Sequence, residues 1–100
     1  MPPRLAPRRI LLVEDEPSFR EVLQMGLEPE GFQAVPAEGL TQAMAMLETE
    51  TFDAVVSDLR LKDGSGLDLL QWMKDRGLET PVVIMTAFAT TETTVQALNL

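Results

Sequence analysis

The chain has 100 residues, 45% of them hydrophobic and 24% charged, which suits one globular domain with a modest core. It contains neither cysteine nor histidine, so disulfides, thiolate or imidazole metal sites and the Ser-His-Asp and Cys-His arrangements are excluded. A formal net charge of -8 argues against a nucleic-acid surface, which needs clustered Lys and Arg, and leaves carboxylates, hydroxyls, two lysines and backbone amides for chemistry.

Residues 1–9, MPPRLAPRR, are basic and proline-rich but have no apolar stretch like that of a signal peptide, and they read as a flexible leader. No run approaches membrane-spanning length, and the expected location is the cytoplasm. Residues 10–13, ILLV, are continuously apolar, as in a strand buried on both faces of a parallel sheet, and run into Glu14-Asp15-Glu16. Pro17 and Ser18 then open a helix with Phe19, Val22, Leu23 and Leu27 at helical spacing. Residues 32–35 give a weaker strand, and Leu40, Ala43, Met44 and Leu47 mark a second helix.

Residues 54–56, AVV, form a third strand that ends in Asp58. The loop LKDGSG is expected to carry the chain back over the end of that strand into a helix bearing Leu67, Leu70 and Met73. Residues 82–85, VVIM, form a fourth strand that ends in Thr86-Ala87. A last helix is expected to open near residues 90–94 and to place Val95 and Leu98 on one face. The six methionines, mostly at helical spacing, read as core filler. Strand and helix alternate throughout, so the expected fold is α/β, a doubly wound parallel sheet with right-handed crossovers.

In such a sheet, ligands bind beyond the carboxyl ends of the strands. If the strands are neighbours, Glu14 and Asp15, then Asp58, then Thr86 converge on one patch. Clustered carboxylates raise one another's pKa unless a cation neutralises them, and Mg2+ fits a set of carboxylates without histidine or cysteine. A carboxylate beside such an ion and a hydroxyl is equipped for phosphoryl transfer, with Asp58 attacking phosphorus to give an acyl phosphate. Each part also has a plain structural explanation: helix-start acids, a turn aspartate, a β-branched strand residue. Their arrangement on three core strands favours the chemical explanation.

The segments ILLVEDEPSFR, FDAVVSDLRLKDGSGLDLL and PVVIMTAFAT resemble the receiver domains of bacterial two-component response regulators, and the likeness covers residues 9–100. The ending MTAFATTETTVQALNL looks most like receivers of the nitrogen regulatory protein C type, which precede an ATPase domain and a DNA-binding domain. The resemblance implies a flavodoxin-like receiver fold with strand order 2-1-3-4. Asp58 would take a phosphoryl group from a phosphohistidine of a sensor histidine kinase. Glu14, Asp15, Asp58 and the backbone carbonyl of Arg60 would hold Mg2+, Thr86 would be the switch hydroxyl, and the Ala87 amide would contact a phosphoryl oxygen. Arg60 and Phe88 fall where the family modulates phosphoryl lifetime.

The family also uses a lysine and an aromatic residue on a fifth strand. Neither Lys62 nor Lys74 matches that lysine, and residues 10–100 read as a receiver lacking its fifth strand and last helix. The fourth strand would then be an apolar edge prone to homodimer formation or self-association. The domain is expected to regulate an output domain, with no direct nucleic-acid contact and no membrane contact, rather than to act as an enzyme on an external substrate. Two alternatives are a receiver-like interaction module that is never phosphorylated, and a magnesium-dependent aspartyl-phosphate phosphatase. The latter would want a second acid where Arg60 stands.

Overall fold

The computed structural model describes residues 8–86 and 94–98. Its elements are β1 (Arg8–Val13), α1 (Pro17–Leu27), β2 (Phe32–Ala37), α2 (Leu40–Thr49), β3 (Ala54–Asp58), β4 (Arg60–Leu61), β5 (Gly64–Ser65), α3 (Gly66–Asp75), β6 (Val82–Thr86) and β7 (Thr94–Leu98). The main sheet has the order β2-β1-β3-β6-β7, and its first four strands are parallel, as expected for a doubly wound α/β fold. The continuous apolar runs occupy its middle because both of their faces are covered: Leu11, Leu12, Val13 and Val55 are fully buried. Leu11, Val13, Val55, Val82 and Ile84 join Ala43 and Leu47 of α2 and Leu69 and Met73 of α3 in one apolar cluster. Alternation along the strand sends Ile10 and Leu12 to the opposite face, where α1 packs on β1 and β2.

The first strand begins earlier than expected. Arg8 and Arg9 begin β1, and Arg9 is tied down by its neighbours. Its backbone N–H donates to Asp53 at 2.7 Å, its guanidinium pairs with Glu50 at 2.6 Å, and that group stacks 4.7 Å from the Phe52 ring centroid.

Two helices turn slightly from the expected faces. On α1, Phe19, Leu23 and Leu27 are half-buried, but Val22 is 61% exposed, because the packed row runs along the i, i+4 positions and leaves residue 22 on its flank. On α3, Leu69 and Met73 are buried and Leu67 is half exposed, because the helix starts at Gly66 and its row toward the sheet is Gly66, Leu69 and Met73.

The start of α3 follows from a capping box. Ser65 Oγ accepts from the Leu67 amide at 3.0 Å, and Asp68 accepts from the Ser65 amide at 3.0 Å. Ser65→Ala should cost about 1 kcal/mol, read as a melting temperature lower by roughly 5 °C.

The last expected helix is corrected. Residues 94–98 form β7, antiparallel to β6, with Val82 opposite Leu98 and Thr86 opposite Thr94. The bare N–H and C=O groups along β6 supply the reason, since pairing satisfies them, and Thr94 and Val95 are β-branched. The expected open edge on the fourth strand is therefore covered, and the sheet edge moves outward to β7. The opening of that helix, residues 90–93, lies outside the described residues, as do Ala87 and Phe88.

Candidate functional site

Three strands end side by side. β1 and β6 both pair with β3, so the residues just past Val13, at Asp58 and at Thr86 meet at one edge of the sheet. Asp58 lies opposite Met85, which puts Thr86 one position beyond it on the neighbouring strand. Glu14, Asp15 and Asp58 each offer a carboxylate oxygen, and these oxygens lie within 4.8 Å of one another.

Burial sets the electrostatics. Glu14 is 1% exposed and Asp58 is 8% exposed. Glu14 Oε2 accepts from the Glu16 amide at 2.9 Å, while Oε1 is buried and has no hydrogen-bond partner among the described residues. Desolvation raises the Glu14 carboxyl from its ordinary 4.5 to about 7; the Glu16 amide opposes the shift, and Asp58 and Asp15 add to it. An unpartnered buried carboxylate oxygen beside two further carboxylates is a donor set that suits a hard divalent cation.

The backbone around the acids is held from several sides. The Glu14 amide donates to Ala37 of β2 at 3.0 Å, and Arg20 of α1 donates to the Glu14 carbonyl at 2.6 Å. Asp58 Oδ1 accepts a long bond of 3.4 Å from the Arg60 amide, and Ser57 Oγ donates to the Asp58 carbonyl at 2.9 Å. Beyond Asp58, the Leu59 amide donates to Met85 and the Gly66 amide to Leu59.

The loop after Asp58 leads from the end of β3 into α3, and the Gly66 amide at its far end donates back to the Leu59 carbonyl at 2.9 Å. The loop forms the two-stranded hairpin β4–β5, whose turn residue Asp63 binds the start of α2. Sequence reasoning missed Asp63 and Arg20. Arg20 follows Glu14 by six residues on a helix that starts at Pro17, a spacing that could have suggested a reach back to the acid turn. Lys62 is exposed beside Glu38 and Gln42 at the α2 end of the hairpin, and Lys74 is exposed in the last turn of α3.

Residues 10–100 match the response regulator receiver domain family. The chain belongs to that family. The receiver is 39% identical over 92 residues to the response regulator protein PilR of Pseudomonas aeruginosa, covering 92% of this chain and 21% of PilR. It is also 39% identical over 91 residues to the alginate biosynthesis transcriptional regulatory protein AlgB of the same organism, covering 91% of this chain and 20% of that one. The chain thus spans about a fifth of the length of these relatives. Among solved structures, the response regulator protein TrrA from Thermotoga maritima, in complex with Mg(2+)-BeF, superposes with a TM-score of 0.78 at 29% identity, covering 82% of this chain and 71% of that one.

Proposed function

We propose that this receiver accepts a phosphoryl group on Asp58 from the phosphohistidine of a sensor kinase and passes the signal to an output domain. The observation that carries this is the Glu14–Asp15–Asp58 cluster, with its buried, unpartnered Glu14 oxygen. Glu14, Asp15, Asp58 and the backbone carbonyl of Arg60 would hold Mg2+, in keeping with the metal complex of the Thermotoga relative. When bound, the ion neutralises the acids and stabilises charge on the phosphoryl oxygens.

In the transfer, an Asp58 carboxylate oxygen forms the new bond to phosphorus as the phosphorus–nitrogen bond breaks. The electron pair of that bond leaves on the imidazole nitrogen, which is protonated in the partner. The hydroxyl of Thr86 then follows the phosphoryl group and the Ala87 amide donates to one of its oxygens, a switch that would bias a two-state surface. Arg60 occupies the place where a phosphatase would want a second acid, which favours a regulatory acceptor over an enzyme acting on external substrates.

The relatives support a transcriptional output, since one is named a transcriptional regulatory protein, and they fit the likeness to regulators of the nitrogen regulatory protein C type. Among the described residues no helix is long and apolar enough to cross a membrane; with the family's role this favours the cytoplasm. The test is intact mass after incubation with Mg2+ and acetyl phosphate. One phosphoryl adduct is expected in the wild type, and none in Asp58→Asn or with chelator. An adduct that persists in Asp58→Asn sinks the assignment.

A further inference from the structure

The turn of the β4–β5 hairpin is fastened to a distant helix. Asp63 accepts hydrogen bonds from the Leu40 amide at 2.8 Å and the Thr41 amide at 2.9 Å, the first two residues of α2. These amides hold its carboxyl below the ordinary 3.8. The helix has no cap of its own, because Gly39 is its N-cap residue and no side chain caps it locally. A Cβ on Gly39 would lie 2.8 Å from Asp63 Oδ1, so glycine is what lets the carboxylate approach this closely.

A local Ser or Asp at position 39 would cap α2 equally well. A local cap would not hold the hairpin. Arg60 stands opposite Ser65 across this hairpin, two residues after Asp58, and the other end of the loop is fixed by the Ser65–Asp68 capping box and the bond from the Gly66 amide to Leu59. Among the described residues, Asp63 anchors the turn on the remaining side, beyond the core-buried Leu61.

We infer that Asp63 is a positioning residue for the metal site: by clamping the hairpin turn to α2, it holds the backbone carbonyl of Arg60 where magnesium would be bound. This rests on the functional reading above. Supporting groups one step removed from a metal commonly change its affinity by 10- to 100-fold.

The experiment is calorimetric titration of the chain with MgCl2, paired with thermal unfolding in the absence of metal. Asp63→Ala should raise the half-saturating magnesium concentration about tenfold and lower the melting temperature. The double variant Asp63→Ala, Gly39→Asp regains a cap and the negative charge without the clamp. It should recover the melting temperature and keep the weak magnesium binding, while Asp63→Asn, which retains an acceptor, should fold and shift magnesium binding by less than Asp63→Ala.

Recovery of magnesium affinity in the double variant would reduce Asp63 to a cap or a charge and overturn the inference. Unchanged affinity in Asp63→Ala would do the same. A wild-type chain that does not bind magnesium overturns the functional reading itself, an outcome distinct from tight wild-type binding that the variants leave unaltered.

Discussion

Without metal, the receiver should lose on the order of 3 kcal/mol of stability between pH 5 and pH 8, and magnesium should return much of it above pH 7. The cause is Glu14, whose carboxyl rises from 4.5 to about 7 in the folded chain through desolvation and the neighbouring acids. Between those values the folded chain holds a proton that the unfolded chain has released. Stability is therefore greatest below the unfolded value, falls as pH rises through this window, and levels off above the folded value. Asp63, whose carboxyl is lowered, acts in the opposite sense, but only where pH falls below the ordinary carboxylate range.

A ligand at a hundred times its dissociation constant contributes about 2.7 kcal/mol, so saturating magnesium offsets most of the Glu14 term. Glu14→Gln should flatten the pH slope and weaken the magnesium response together, because the Glu14 carboxylate contributes to both while Asp15 and Asp58 remain in the cluster. Chemical denaturation at pH 5, 6, 7 and 8, with and without Mg2+, measures this. A flat wild-type profile in chelator would show that Glu14 is solvated and would remove the physical basis of the effect.

Gly66→Ala should cost roughly 2–3 kcal/mol and weaken magnesium binding as well. A Cβ there would lie 2.6 Å from the Asp58 carbonyl oxygen, 3.0 Å from Ser57 Oγ and 3.1 Å from Ile84 Cδ1. The first contact is with backbone and cannot be relieved by a rotamer change, so either α3 slides outward or the end of β3 moves. The end of β3 is Asp58, which couples this packing defect to the site. Denaturant midpoints together with a magnesium titration would test the link. A variant that is destabilised yet binds magnesium normally would mean that α3 takes up the whole displacement.

The parts of the fold legible in the sequence were those fixed by local pattern. ILLV, AVV and VVIM stood out because a strand covered on both faces needs no alternation, and Glu14, Asp15 and Asp58 could be singled out because each follows such a run. Helix faces were less certain. Val22 and Leu67 fit the apolar spacing, yet the packed row is selected by where each helix begins and by what lies beneath it.

The clamp from Asp63 to α2 joins residues far apart in sequence, and nothing in DG beyond a turn signal announces it. Residues 94–98 misled for a related reason. Val95 and Leu98 carry helical spacing, but an unpaired neighbouring strand outweighs a short apolar period, and that neighbour is a tertiary fact.

The pairing of β1 with β3 also bears on the order in which the chain can assemble. It joins residues near the start of the chain to residues beyond its middle, across an intervening strand and two helices, whereas β6 meets β7 over a much shorter loop. Closing a long loop must be compensated by contacts that form only once it has closed, so pairings of that range lag behind local ones. Glu14 and Asp15 reach Asp58 only through the β1–β3 pairing. A collapsed intermediate with its helices and its β6–β7 contact in place would still lack the Glu14–Asp15–Asp58 cluster, and any divalent-ion affinity that the cluster confers would arise only once β1 and β3 have paired.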